Sequence, residues 1–184
     1  MNVKEAIETR RAYRSLEDVE ITDELLDDLA LSASLAPSCF NYQPWRYVFV
    51  SDKAILEKMH EALSQGNEWA HKASLIIAVF SQKDLDCVIK DREYFLFDTG
   101  MATAFLILRA TELGLVAHPI AGYSPKKVRE ILGIPEEMTV ITLVIVGKKS
   151  EELNPVLSED QVNREKARPE RKSRSEFVYM NKYQ

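Results

Sequence analysis

Pro37-Ser38-Cys39-Phe40-Asn41-Tyr42-Gln43-Pro44-Trp45 stands between a helical pattern and a strand pattern. Proline fixes its own φ and disfavours helix at the residue before it, so Ala36 and Gln43 are expected outside any helix. The segment therefore reads as a rigid loop. Ser38, Asn41 and Gln43 offer donors and acceptors suited to a flat, amide-rich ligand, and loops held by a rigid scaffold are where binding groups concentrate. Taken alone, the segment also fits an ordinary structured turn before a strand.

Upstream, Thr22 is a candidate N-cap with Asp23 and Glu24 in the favourable first turn. Leu25, Leu26, Leu29, Ala30 and Ala33 recur on one helical face, predicting a helix from there to about Ala36. Downstream, Tyr47 to Val50 reads as a buried strand and Asp52 to Leu63 as an amphipathic helix. Ser74 to Phe80 is a nearly continuous apolar run, the pattern of a strand covered on both faces. From about Arg92 to Leu113 the chain predicts a long helix, apolar nearly all round past Asp98 and so buried in the core or at a subunit interface. Gly100 within it costs roughly 1 kcal/mol relative to alanine. Leu115 to Ala117 predicts a short strand, and Ser124-Pro125 opens a helix in the cap-then-proline order. Met138 to Val146 predicts the last long strand, closed by Gly147. Strands alternating with helices predict an α+β or α/β three-layer domain.

Bulk properties narrow the class. A chain of 184 residues fits one domain with a sizeable core. A 46% hydrophobic and 29% charged composition is that of a folded protein. The net charge of −5 argues against nucleic acid as a partner. Two cysteines, Cys39 and Cys87, show neither metal-ligand spacing nor a disulfide framework, so reduced thiols and a cytoplasmic location are expected, with no structural metal. His60, His71 and His118 are scattered and form no ligand pair. Met1 to Arg14 lacks the apolar core of a secretory signal. Met101 to Leu115, the longest apolar-rich segment, is interrupted by Arg109 and Glu112 and is too short to span a membrane. No membrane partner is expected.

Two basic clusters stand out in this acidic chain. Arg10, Arg11 and Arg14 follow a short helical stretch from Val3 to Glu8, and clustered guanidinium forks suit phosphate. A solvated basic turn is the plainer reading of that cluster alone. Arg168, Arg171, Lys172 and Arg174 form the other. Separated clusters of this kind point to a local anion pocket rather than a polyanion surface. Lys148 to Arg174 is polar enough to pass for a disordered tail, but Glu176 to Met180 turns apolar again and is expected to dock.

In their order along the chain these elements resemble the nitroreductase family of flavoproteins. Arg10-Arg11-Ala12-Tyr13-Arg14 resembles its opening motif, and Ala36 to Trp45 its A-P-S-x-x-N-x-Q-P-W loop. Pro119-Ile120-Ala121-Gly122 resembles its P-I-x-G turn, Leu132 to Glu136 its L-G-I-P-E segment, and Arg171 to Val178 its tail. The resemblance implies an α+β three-layer fold, with a central, mostly antiparallel sheet flanked by helices. It implies a homodimer whose C-terminal extension, residues 148–184 of a single domain over 1–184, packs on the partner subunit.

The resemblance also implies FMN as cofactor and NADH or NADPH as donor, with a nitroaromatic, quinone or similar small molecule as acceptor. Arg10, Arg14, Arg171 and Lys172 would hold the FMN phosphate, with Arg11 and Arg174 outside them or exposed. Pro37, Ser38 and Asn41 would meet the ribityl chain or ring edge, from the partner subunit. Asn67 would pair with the pyrimidine edge or sit in a surface turn. Pro119, Ile120, Ala121 and Gly122 would lay backbone against the ring, with Gly122 allowing close approach. Several residues depart from the family pattern. Ala12 lacks a serine hydroxyl, Ala121 lacks an acidic side chain, Leu16 replaces phenylalanine, and Ser173 and Arg174 leave the tail register open.

The chain carries no assignable nucleophile–base pair or carboxylate dyad, as expected where a cofactor does the chemistry. No G-x-G-x-x-G follows a predicted strand, so the nicotinamide donor would share the acceptor's pocket and turnover would be ping-pong. Three other readings fit these residues. They are a flavin-binding protein without turnover, a branch performing dehalogenation or flavin fragmentation, and an interaction module for a phosphorylated partner.

Overall fold

In the computed structural model, which describes residues 1–183, the long apolar runs assemble a sheet and the amphipathic runs cover its two faces. In chain order the elements are α1 (Val3–Thr9), β1 (Leu16–Glu17), α2 (Asp23–Ser34), β2 (Arg46–Val50), α3 (Lys53–His60) and β3 (Leu75–Ser81). There follow β4 (Val88–Ile89), β5 (Arg92–Glu93), α4 (Phe95–Glu112), β6 (Leu115–Ile120), α5 (Pro125–Leu132), β7 (Thr139–Lys149) and α6 (Glu159–Lys166).

β7 is the spine of a five-stranded sheet in which every pairing is antiparallel. β3 pairs along Thr139–Val146 of β7, and β1 continues that edge at Lys148 and Lys149. β6 pairs on the other edge, and β2 flanks β3. Alternation along the strands divides the core in two, because successive side chains point to opposite faces. Ile76, Ala78 and Phe80 of β3 join Leu143 and Ile145 of β7 under α3 and α5, with Leu56, Met59 and Val128. Leu75, Ile77 and Val79 join Val144 and Val146 under α2 and α4, with Leu29, Ala33, Ala102 and Leu106. The result is the α+β three-layer arrangement, with Trp45 buried in the α2–α4 layer.

Local chemistry sets the ends of the elements. Thr22, Asp52 and Ser124 each accept a backbone N–H from the first turn of α2, α3 and α5. Gly133 ends α5 in the left-handed conformation. Four expectations are corrected by the structure. The helix expected from Arg92 starts at Phe95, because Val88–Glu93 forms a small hairpin turning at Lys90 (φ 60°). The strand expected over Leu115–Ala117 runs to Ile120. It takes in Pro119, which β6 tolerates because it pairs on one edge only. β7 passes through Gly147 to Lys149, and Leu16 of β1 lies against the bare glycine Cα. Lys148–Arg174 is not a featureless tail, since Ser158 and Gln161 form a capping box that starts α6.

The cysteines correct a further expectation. Cys39 and Cys87 are not free thiols; they are joined in a disulfide, with Cα atoms 6.1 Å apart. A span of 48 residues hid the pairing from sequence spacing, and the fold brings the two together. No described helix is long and apolar enough to cross a membrane.

Candidate active site: an arginine-lined cavity and its supports

α6 folds back onto the turn that follows α1 and brings the two basic clusters together. Arg10, Arg11, Ala12, Arg14, Arg164, Arg168, Pro169 and Arg171 line a cavity of about 150 Å³. Three of its arginines are engaged in building it. Arg11 Nη2 donates to the carbonyls of Arg164 (2.6 Å) and Glu165 (3.2 Å) at the end of α6. Arg168 Nη2 donates to the carbonyls of Glu8 (2.6 Å) and Arg10 (2.9 Å). Arg164 is paired with Asp160 at 2.9 Å. Among the described residues, the guanidinium groups of Arg10, Arg14 and Arg171 make no hydrogen bond or ion pair. These are three of the four residues expected to hold a phosphate. Lys172 is exposed and does not line the cavity, and Arg174 lies in an exposed 3₁₀ turn beyond it.

The electrostatics point to an anion. Arg10 is held below the ordinary arginine value, first by burial and then by Arg168, Arg171 and Arg11. Arg14 is lowered by burial and by Arg164, with Glu165 opposing. Like charges gathered in a half-buried cavity repel until an anion enters. Glu165 anchors the arrangement from below. It is buried, and its carboxylate accepts the backbone N–H groups of Arg14 (2.7 Å) and Ser15 (3.2 Å). Sequence reasoning missed Glu165 and Arg164. The capping box that starts α6 was their one local signal, read as part of a polar tail.

A buried aromatic links this cavity to the predicted ring contacts. Arg14 lies 5.9 Å over Trp69, and His118 stacks on that indole at 4.7 Å. His118 Nδ1 meets the Tyr13 carbonyl at 3.0 Å, and burial pushes its pKa down to about 4, so the ring is neutral and donates there. Trp69 Nε1 donates to Asn67 Oδ1 at 3.2 Å, and Asn67 Nδ2 donates to the Gly122 carbonyl at 2.9 Å. A Cβ at residue 122 would collide with that amide, which is the close approach the glycine permits here. Asn67 is therefore bonded inward, with one N–H and one lone pair left over. Pro119 and Ile120 lie in β6 rather than in a turn. The Ile120 carbonyl is taken by Thr142 Oγ1 at 2.9 Å, so only Ala121 and Gly122 belong to the turn.

The loop from Pro37 to Asn41 lies elsewhere. Ser38 Oγ accepts the Gln43 N–H at 2.9 Å, and Asn41 is exposed. Phe40, Asn41 and Gln43 have positive φ (47°, 60° and 51°), a conformation costing about 1 kcal/mol or more for each such residue. Neither Ser38 nor Asn41 lines the arginine cavity. Within one chain the predicted site residues thus form two groups. Another cavity, about 580 Å³, carries Asp18, Glu20 and Glu57 on its wall and is wrongly charged for a phosphate. It does hold His60 and His71 with their rings stacked at 4.0 Å, a pairing that the sequence spacing did not predict. Burial and the His71 charge lower the His60 pKa.

This three-layer fold is shared with a solved nitroreductase family protein from Clostridium difficile, which superposes with a TM-score of 0.81 at 25% identity. The Nitroreductase family profile matches residues 7–148, and the chain belongs to the nitroreductase family. It is 34% identical over 161 residues to an Archaeoglobus fulgidus protein provisionally named NADH dehydrogenase/NAD(P)H nitroreductase, covering 85% of this chain and 91% of that one. It is 30% identical to the iodotyrosine deiodinase of Haliscomenobacter hydrossis, covering 77% of each. A solved oxidoreductase containing FMN superposes with a TM-score of 0.86 at 26% identity, covering 100% of this chain and 94% of its own.

Proposed function

We propose that this chain binds FMN, takes a hydride from NADH or NADPH, and delivers it to a nitroaromatic, quinone or similar electron-poor acceptor. The observation that carries the reading is the set of three unpaired arginines, Arg10, Arg14 and Arg171, around a cavity of phosphate size. FMN, when bound, supplies the hydride chemistry. The chain's own residues bind and orient. Arg10, Arg14 and Arg171 neutralise the phosphate, and Glu165 holds the backbone that carries Arg14. Trp69 fixes the spacing from that end to Asn67 and Gly122, where leftover polar capacity meets the ring edge. Donor and acceptor use the same open face in turn, so turnover is ping-pong.

Ser38 and Asn41 reach the cofactor from a second copy of the chain. This accounts for their distance from the arginine cavity and for the exposed apolar surface. Met1, Val3, Leu35, Phe105 and Leu108 line a groove of about 550 Å³ between α1, α2 and α4. Phe177, Val178, Tyr179 and Met180 are exposed in the C-terminal segment. A homodimer that covers the groove and docks residues 148–184 on the partner buries both surfaces. A cytoplasmic setting, with its supply of NADH and NADPH, is part of the proposal.

The deciding experiment is an absorbance spectrum of the purified protein, followed anaerobically as NADH and then NADPH is added. A flavin band bleached by either donor supports the reading and identifies the donor. A band that never bleaches favours flavin binding without turnover. If no flavin binds even after reconstitution with FMN, the reading is wrong. Similarity to a deiodinase favours reductive dehalogenation as a second reading, tested by adding a halophenol as acceptor to the reduced protein.

A further inference from the structure

We infer that Cys39 and Cys87 are a reversible thiol-modification site, a disulfide that a small dithiol opens to release the loop carrying Ser38 and Asn41. Its importance for the cofactor rests on the function proposed above; the site itself does not.

The first observation is mechanical. From Ser38 to Tyr42, among the described residues, one hydrogen bond leaves the loop, from Cys39 N–H to Asp98 Oδ2 at 2.6 Å. The other bonds of this stretch close within the segment Ser38–Gln43. The disulfide is the second fastening, tying the loop to the residue before the β4–β5 hairpin. A loop held at two points, with three side-chain-bearing residues at positive φ, relaxes when one fastening goes.

The second observation is chemical. Asp86 Oδ2 is buried with no N–H or hydroxyl donor among the described residues, the Asp98 carboxyl beside it being able to share only a single proton, and an Asp86 carboxylate oxygen lies within 4.8 Å of both sulfurs. An orphaned buried acceptor is costly. In the reduced protein a thiol S–H is the donor that this oxygen lacks, so the cluster is better satisfied reduced than its oxidised form alone indicates. The third observation is access. Cys39 is partly exposed, and the buried Cys87 lines a cavity of about 510 Å³, so a small dithiol has a way to the bridge, with Cys39 the more exposed of its two residues.

The exchange balances with a dithiol as the named reductant. One thiolate of the dithiol attacks Cys39 Sγ, the S–S bond breaks, and the Cys87 sulfur leaves with the electron pair and takes up a proton. The second thiol of the reagent then attacks the mixed disulfide, expelling the Cys39 thiolate, which is protonated in turn. The protein gains two electrons and two protons, and the reagent leaves as a cyclic disulfide.

The test uses the whole wild-type protein with and without dithiothreitol. Alkylation in denaturant, read by mass, counts thiols, and hydrogen exchange reads the peptide covering Ser38–Gln43. The site is supported if both cysteines alkylate only after reduction and the loop amides then exchange about tenfold faster, as local opening requires. The variant Cys87→Ser is expected to exchange at the fast rate with or without the reagent. Two free thiols in the untreated protein, or reduction that leaves exchange unchanged, would overturn the inference. Release of FMN is followed by its fluorescence in the same samples, and faster release after reduction is expected. Equal release in both states overturns the link to the cofactor. Failure to bind FMN in either state overturns the proposed function, while the thiol count and exchange rates still decide the site.

Discussion

Asn67 Nδ2 donates to the Gly122 carbonyl at 2.9 Å, and the bond forms because residue 122 has no side chain in its path. The same amide accepts from Trp69, so one asparagine joins the β6–α5 turn to the indole beneath Arg14. Gly122→Ala is expected to push this amide aside. The loss of one or two hydrogen bonds corresponds to about 1–2 kcal/mol, read as a lowered midpoint in denaturant titration. Because Trp69 remains packed, the fold should persist while FMN is retained less well.

The unpaired arginines give a sharper test. Arg171 is exposed on a segment with few other ties, so Arg171→Ala should leave stability unchanged. It should weaken FMN binding roughly tenfold or more, the scale of a charge-assisted contact to phosphate. Riboflavin, lacking the phosphate, should bind the variant and the parent equally. Lys172→Ala should alter neither. Fluorescence titrations with both ligands separate these outcomes.

His118 is expected to contribute to the acid limit of stability. Its folded pKa of about 4 lies below the ordinary value of 6.5. The stability gained from its neutral burial is therefore fully present above pH 6.5 and is lost as pH falls towards 4. The loss amounts to roughly 3 kcal/mol. His118→Phe keeps a ring against Trp69 and should flatten unfolding free energy across that window. An unchanged pH profile in the variant would assign the acid sensitivity to other groups.

Asp86 acts in the opposite direction. Burial raises its carboxyl above the ordinary value, with Asp98 adding to the effect. A raised carboxyl contributes stability that is present at low pH and lost as pH rises through its folded value. Asp86→Asn, neutral throughout, should equal or exceed the parent near neutral pH and gain nothing in acid. Thermal melts at a series of pH values show the crossing.

Glu165→Leu should be the most damaging single change near the cavity. It leaves the N–H groups of Arg14 and Ser15 without their acceptor in a buried place, a penalty on the order of 2–4 kcal/mol. Glu165→Gln, which keeps one carbonyl oxygen, should recover part of that loss. Denaturant titration of both variants ranks them.

Local patterns carried much of the fold. The caps at Thr22 and Ser124 and the apolar run ending at Phe80 each act within a few residues, so reading along the chain placed α2, α5 and β3 closely. Arg10, Arg14 and Arg171 could be singled out in the sequence as candidate anion ligands because guanidinium chemistry does not depend on the fold, and the structure brings all three to one cavity. Folding decided what lies far apart in sequence. Glu165 reached the backbone of Arg14 across 151 positions, and Cys39 met Cys87 across 48. Pro119 entered a strand because β6 has a free edge, and Gly122 was needed for a neighbour's amide. Composition and periodicity determined the main helices and strands, though not the β4–β5 hairpin or α6, because those preferences act over a turn or a pleat. The tertiary structure alone decided which distant groups touch, because burial pairs whatever donors, acceptors and charges the packed layers bring together.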